Sequence, residues 1–363
     1  MSGYLSQKID DLNSGHIDNS TPRRFRMGRC TSPSELTRNL GSAILGQGEA
    51  IDAVVRALTI AAAGIRDPHR PIASILFAGP TGVGKTELAR RLAAEVCGDP
   101  DKLCRIDMNS LAQEHYSASI SGAPPGYSGS KEQFTLFDRE LVEGNISRPG
   151  IVLFDEVEKA HPTVLRALLQ ILDSGTLHLT SGTSNISFRN TIVLLTSNLG
   201  STQNDSQNNS LFYRFKNYQK IEKWDSLSSR LHRRRENENP TLTAIKNFFD
   251  PEMYNRFDEV IVFQPLTREH SYAIVDIELN KLEKILDSQN ITWSFDDKIR
   301  DHLVKLGFDK NYGARNLKRA VRLNLHGPIA KTIVSTDGIH NMRHIETHIR
   351  NGSIVPELTE RIY

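Results

Sequence analysis

Cysteine is scarce in this chain. There are three among 363 residues, Cys30, Cys97 and Cys104, at irregular spacing. They form neither a disulfide framework nor a zinc pattern, and such usage points to a reducing compartment. Long apolar runs are missing as well. No stretch reaches the roughly 18 residues that suggest a bilayer span, so no membrane association is expected. The N-terminus lacks the apolar core of a secretory signal. Arg23, Arg24, Arg26 and Arg29 suit an organelle transit peptide, whereas Asp10, Asp11 and Asp18 do not. The expectation is therefore a cytoplasmic chain, with an organelle matrix or stroma as the alternative. Charge of one sign is also lacking. The 45 basic and 43 acidic side chains leave a formal net charge of +2. That gives no general electrostatic case for nucleic acid or a membrane surface. What the chain does have is 38% hydrophobic residues, enough for real cores, and a length that favours two domains.

The most informative stretch is Gly79-Pro80-Thr81-Gly82-Val83-Gly84-Lys85-Thr86. It fits G-x-x-x-x-G-K-[ST], the loop that wraps the phosphates of a nucleoside triphosphate. Ile75-Leu76-Phe77-Ala78 before it reads as a buried strand. Leu88, Leu92 and Val96 after it fall on one helix face. Glycine at 79, 82 and 84 allows positive φ and turns backbone N–H groups toward the phosphates. The following helix aims its positive end at the same anions. Lys85 brings a full charge to the β- and γ-phosphates, and Thr86 a hydroxyl for magnesium.

Along the rest of the chain, residues 1–38 are polar and aperiodic, and read as a disordered N-terminal segment. A helical pattern runs from Ile44 to Ile65 through Ala50, Val54, Leu58 and Ala61 or Ala62. Three further apolar runs read as buried parallel strands: around Leu103–Ile106, Ile151–Phe154 and Ile192–Leu195. Helical stretches such as Val164–Leu172 separate them. The alternation predicts an open α/β sheet with helices on both faces. Residues 201–240 interrupt it with a polar, low-complexity insert holding eight basic and five acidic side chains. Its Arg233-Arg234-Arg235 run reads as solvated loop rather than as a nucleic-acid patch. After Pro265 the pattern turns helical, with Val275, Leu279, Leu282 and Leu286 on one face. Ile291, Trp293 and Phe295 alternate like a strand, and His344–Ile349 reads as a last one. The domains expected are 39–267, a large α/β unit, and 268–363, a small, mostly helical one.

A phosphate loop alone says only that a nucleotide binds. The second element is Ile151-Val152-Leu153-Phe154-Asp155-Glu156, an apolar strand ending in two carboxylates, 70 residues after Lys85. Ligands of such sheets lie outside the carboxyl ends of the strands. Asp155 is then placed to hold magnesium, directly or through water. Glu156 is placed to polarise the attacking water. The next strand runs into Ser197-Asn198, where an amide is suited to sense the γ-phosphate, or simply to make a turn. His161-Pro162 reads as a helix entry, with no catalytic role.

These residues, in this order, resemble the Clp-type AAA+ ATPases, specifically the second ATPase module of the ClpA, ClpB and ClpC unfoldases. The matching stretches include Leu45-Gly46-Gln47, Arg66–Pro71, Gly79–Leu88, Gly122–Tyr127, Asp155–Pro162, Phe188–Thr191, Thr196–Gly200, Asn255–Val260 and Tyr312–Arg315. The resemblance covers about residues 38–350 apart from 201–240. It implies a P-loop AAA+ module, a parallel sheet flanked by helices, followed by the small helical domain. It implies ATP hydrolysis with ATP and Mg2+ as cofactors, in a hexameric ring of identical subunits. By resemblance, Ile44 and Leu45 contact the adenine, Asn198 is the first sensor and Arg315 the second. Arg256 is the arginine finger that completes a neighbour's site, and Tyr127, in a glycine-flanked loop, grips unfolded polypeptide in the pore. The partners implied are further copies of the chain and unfolded or misfolded proteins.

The chain also departs from that pattern. The 38 or so residues before the module are too few for an adaptor domain or another ATPase module, so a single-ring version or a fragment is expected. Protease-docking relatives carry an apolar-glycine-apolar tripeptide in the region of the insert. Leu211-Phe212-Tyr213 lacks the glycine, which makes a Clp-type peptidase partner doubtful. Leu177–Gly182 replaces a charged, glycine-rich second pore loop.

Overall fold

The computed structural model describes residues 32–113, 136–145, 148–178, 185–200, 239–309, 313–335 and 343–360. Tyr127, Tyr312, the second pore loop from 179 onward and most of the 201–240 insert lie outside them.

The chain opens with helix α1 (Pro33–Ala43) and α2 (Gly48–Ala62), then β1 (Ala73–Ala78) and α3 (Lys85–Cys97). β2 (Cys104–Asp107), the short α4 (Arg139–Glu143) and β3 (Gly150–Asp155) follow. Next come α5 (Pro162–Ser174), a small hairpin β4 (Thr176–His178) and β5 (Asn185–Ser187), and β6 (Thr191–Ser197). Two helices, α6 (Pro240–Phe248) and α7 (Pro251–Tyr254), lead to β7 (Glu259–Val262).

Strands β2, β3, β6, β1 and β7 lie in that order in one parallel five-stranded sheet. β1, β3 and β6 are buried along their whole length, which is why they read as continuous apolar runs. Their alternate side chains still divide between two cores. Ile75, Phe77, Ile151, Leu153, Ile192 and Leu194 meet Val54, Leu58, Leu88 and Leu92 on one face. Leu76, Val152, Phe154, Val193 and Leu195 meet Val164, Leu168 and Ile171 of α5 on the other. Each such fully buried side chain contributes about 1.5–3 kcal/mol.

The stretch 33–38, expected to be disordered, is the first part of α1. Ser32 caps the helix by accepting from the Glu35 amide, and Pro33 occupies its first turn. Leu36 and Leu40, four apart, are fully buried in the large-domain core. Two leucines in an otherwise polar stretch suffice to dock it.

A third core lies C-terminal to Leu266. It is built on α8 (Arg268–Ser288), β8 (Ile291–Phe295), α9 (Lys298–Gly307), α10 (Gly313–Val321) and α11 (Gly327–Ser335), with β9 (Arg343–Arg350) and β10 (Ser353–Glu360). Thr267 caps α8 in a reciprocal box with His270. β8 pairs parallel with β9, and β9 antiparallel with β10. The small unit is thus mainly helical but carries a three-stranded sheet. A single π-helical turn (Arg322–His326) joins α10 to α11.

Candidate active site

The carboxyl ends of β1, β3 and β6 lie side by side, and a cleft of about 380 Å³ opens over them. The small unit forms its far wall. Thr81 to Thr86 form the floor, Asp155, Glu156 and Asn198 one flank, and Ile44, Leu45 and Arg315 the rim. The sheet therefore brings together most of the sequence-predicted residues. Ile44 belongs to the large-domain core, and Leu45 packs against the small one. The apolar link between the two units thus edges the cleft. Gly79 and Pro80 do not line it. Gly79 has φ 130°, and a Cβ there would come within 2.7 Å of the Phe263 carbonyl oxygen.

Lys85 is 6% exposed, and its ammonium donates to the loop's own carbonyls at Gly79 and Pro80 and to Asn198 Oδ1 at 2.9 Å. Burial lowers its pKa to about 8, against the upward pull of Glu158, Asp155 and Glu156. Asn198 also donates from Nδ2 to Glu156 Oε1 at 3.2 Å. One amide thus joins the loop lysine to the carboxylate just past β3. Glu156 has φ 58°, in the left-handed region that a glutamate rarely adopts. Such a conformation costs about 1–3 kcal/mol and clusters at functional sites. Its amide donates to Thr196 Oγ1 at 2.9 Å, and that hydroxyl donates on to Asp155 Oδ1.

Three residues to which the sequence assigned no role are tied into this site. Arg105 donates from Nε at 3.0 Å and from Nη2 at 2.6 Å to Asp155 Oδ2. Glu158 accepts the Asn198 amide at 3.0 Å, and its Oε2 is buried with no hydrogen-bond partner among the described residues. Burial pushes its carboxyl pKa up. Gln47 is 3% exposed; it donates to the Gln264 carbonyl at 2.9 Å and to the Val83 carbonyl at 3.4 Å, and accepts the Gln264 amide at 3.0 Å. It pins the phosphate loop to the segment leading into the small unit. Only the Leu45-Gly46-Gln47 match hinted at it. His161 accepts from the Thr163 amide at the start of α5, a capping contact.

Arg256 is nowhere near the cleft. It sits beside the amino end of β1, where the Asp258 amide donates to the Ser74 carbonyl at 2.8 Å, and pairs with Asp173 at 2.9 Å. Ser74 and Gly79 are five residues apart along a strand, about 16 Å at roughly 3.3 Å per residue. Tyr127 lies outside the described residues.

Residues 70–260 match the family described as AAA domain (Cdc48 subfamily), and residues 266–346 the one described as C-terminal, D2-small domain, of ClpB protein. An ATP-dependent protease ATP-binding subunit-like protein of Rhodococcus erythropolis is 49% identical over 299 residues, covering 82% of each chain. Chaperone protein ClpB of Meiothermus ruber is 40% identical over 310 residues, covering 84% of this chain and 33% of that one. A closed-state cryo-EM reconstruction of Hsp104 with ATPγS and FITC casein is similar at a TM-score of 0.69 and 29% identity. That likeness covers 90% of this chain and 51% of the Hsp104 chain.

Proposed function

This chain belongs to the Clp-type AAA+ ATPases, and from that premise we propose that it is a protein unfoldase or remodelling chaperone that threads polypeptide through a ring. ATP is its nucleotide and hydrolysis its reaction. The polypeptide substrate rests on likeness across both units to ClpB and to Hsp104 solved with casein. The observation that carries the ring is the position of Arg256, whose backbone is bonded to Ser74, about 16 Å along β1 from Gly79 of its own phosphate loop. At that end of the sheet its guanidinium pairs with Asp173 rather than facing its own cleft, and in this reading it serves a second copy. A cation supplied in trans is worth roughly 10³–10⁵ in rate for this chemistry. A lone subunit should then be nearly inactive, and a closed, hexameric ring is the active form.

Within one subunit, the triphosphate would replace the carbonyls that hold Lys85, and Asn198 would then be free to face the γ-phosphate. Glu156, held by Asn198, would take the proton of the attacking water. Arg315, on the first turn of α10, would report the phosphates to the small unit. The Thr86 hydroxyl and the Asp155 carboxylate are the oxygen donors that a hard divalent cation takes, and Asp155 stands at the cleft edge of β3. Magnesium held there would neutralise charge on the β- and γ-phosphates. The chain's setting in this reading is the cytoplasm.

The test is the ATPase rate of size-selected oligomer with and without casein-like unfolded protein. Stimulation by unfolded protein is expected; stimulation by nucleic acid instead would sink the reading. Tyr127→Ala should leave basal ATPase intact and abolish unfolding. Glu156→Gln should bind ATP and fail to turn it over.

A second reading, the ATPase subunit of a Clp-type protease complex, is favoured by the name of the Rhodococcus relative. Capture of a Clp-type peptidase by the full chain, lost on deleting 201–240, would support it.

A further inference from the structure

The cluster around Arg256 is more elaborate than a surface turn needs. Arg256 Nη2 meets Asp173 Oδ1, at the end of α5, at 2.9 Å. Its carbonyl accepts from Arg70 Nη2 at 2.6 Å and from Ser74 Oγ at 2.7 Å. Arg70 also donates from Nε to the Leu172 carbonyl at 3.1 Å and faces Asp258 at 3.9 Å. Arg70 thus ties the end of α5 to the turn that carries Arg256. Gly175, just past α5, lies so close to this loop that a Cβ would come within 2.5 Å of the His69 carbonyl oxygen. Meanwhile Arg256 Nε is buried and finds no acceptor among the described residues. The side chains of Asp173 and Arg256 are 53% and 35% exposed. A pair that open to water adds little to folding. Its effect is on direction: an arginine has many rotamers, and this contact selects one.

We propose that Asp173 and Arg70 are positioning residues for Arg256, Arg70 fixing the backbone of its turn and Asp173 the direction of its guanidinium toward the neighbouring subunit. This rests on the reading of Arg256 as a trans-acting cation. Misplacement of a catalytic group by about 1 Å can cost on the order of 100-fold, so the contact matters to rate far more than to stability.

Mixed rings test it. Asp173→Ala subunits keep Glu156 but misdirect Arg256, whereas Glu156→Gln subunits cannot hydrolyse but present an intact Arg256. Rings of Asp173→Ala alone should lose roughly 10- to 100-fold in kcat. Their KM for ATP should change less than about twofold, since their own cleft is untouched. Mixed one to one with Glu156→Gln, activity should return toward about a quarter of wild type, because one junction in four has the productive order. Asp173→Glu should recover part of the rate by itself, and Arg70→Gln should behave as Asp173→Ala does. If Asp173→Ala rings fall apart on a sizing column, Asp173→Asn, which keeps the volume, is read in their place. An undiminished rate, or a loss that mixing does not restore, overturns the proposal. Arg256→Ala in the same mixture reports on the underlying reading. If it too stays inactive, the shared site has failed. If it is restored while Asp173→Ala is not, only the positioning role has failed.

Discussion

Gly313 is where the small unit touches the phosphate loop, and Gly313→Ala should cost the protein ATP affinity more than stability. Its φ is 53°, and a Cβ there would lie 2.7 Å from the Gly82 carbonyl oxygen and 3.3 Å from that of Thr81. The Ala314 amide donates to the same Gly82 oxygen at 2.9 Å. Alanine in the left-handed region costs about 1–2 kcal/mol. The contact must also open by about 0.5 Å to reach an ordinary separation. That would stretch the Ala314 hydrogen bond, worth about 1 kcal/mol. The chain has an escape, which is to swing the small unit, and Arg315 with it, away from the loop. The cost of the contact then falls on closing the cleft around nucleotide. A loss of about 1–2 kcal/mol there weakens ATP binding roughly 5- to 30-fold. Gly352 provides the control. It has φ 75° in the β9–β10 turn, and a Cβ there would meet nothing within 4 Å among the described residues. Gly352→Ala therefore pays the backbone strain and nothing else. Titration with a fluorescent ATP analogue and thermal unfolding should show similar drops in Tm for both variants, and weaker binding only for Gly313→Ala. Wild-type affinity in Gly313→Ala, or an equal loss in Gly352→Ala, would refute the reasoning.

Leu36→Ala should destabilise the large unit by about 2–5 kcal/mol in denaturant unfolding, since Leu36 is fully buried; a change below about 1 kcal/mol would detach α1 from the core. Gln47→Ala leaves the Gln264 amide and the Val83 carbonyl without this partner, and should cost about 1–3 kcal/mol together with a measurable loss of ATP affinity; unchanged binding would show that the phosphate loop holds its shape alone. The pH dependence follows from Lys85, whose ammonium is brought down to about 8 by burial. The unfolded chain, with an ordinary lysine, binds more protons between about pH 8 and 10.5, so this group's penalty on folding is full below pH 8 and lifts as pH rises through that window. ATP prefers the charged lysine, so affinity should fall above about pH 8 by up to about tenfold per unit. Lys85→Met should flatten that slope, and an equally steep slope in the variant would assign it elsewhere.

The legible parts of the sequence were those whose signal is local. β1, β3 and β6 are buried on both faces, so their apolar runs stood out, and α5 kept its leucines on one side. The phosphate loop is a contiguous motif. α1 was hidden because two leucines among polar residues carry little compositional weight. β10 was hidden because its Ser353–Glu360 run mixes Pro356 with two glutamates, and only pairing with β9 makes it a strand. The Arg105–Asp155 bond was hidden for another reason. Arg105 lies on an edge strand whose Cys104 and Ile106 turn inward, and nothing in the spacing says that the outward arginine meets the end of β3. Glu158 and Gln47 act through backbone groups far away in sequence, which no motif records.

The parallel sheet itself explains why Arg256 lies away from its own cleft, as the proposed shared site requires. Every strand of the five-stranded sheet points the same way, so the loops that leave its carboxyl ends face the cleft. Every segment that enters an amino end faces the opposite edge. Lys85, Glu156 and Asn198 follow the ends of β1, β3 and β6, whereas Arg256 precedes β7. No rearrangement of loops short of breaking the sheet carries Arg256 over its own phosphates, because about 16 Å of buried strand lies between. A second copy has no such obstacle. If its cleft is set against the amino edge of the first, the two halves meet across the junction, and repeating that contact in one sense gives a heterologous interface, which closes as a ring where the rotation per subunit closes. α5 then runs from the neighbourhood of Glu156 to Asp173, about 20 Å at 1.5 Å per residue. Its last turn holds Arg256 through Asp173, which in the proposed reading is the cation that serves the next subunit.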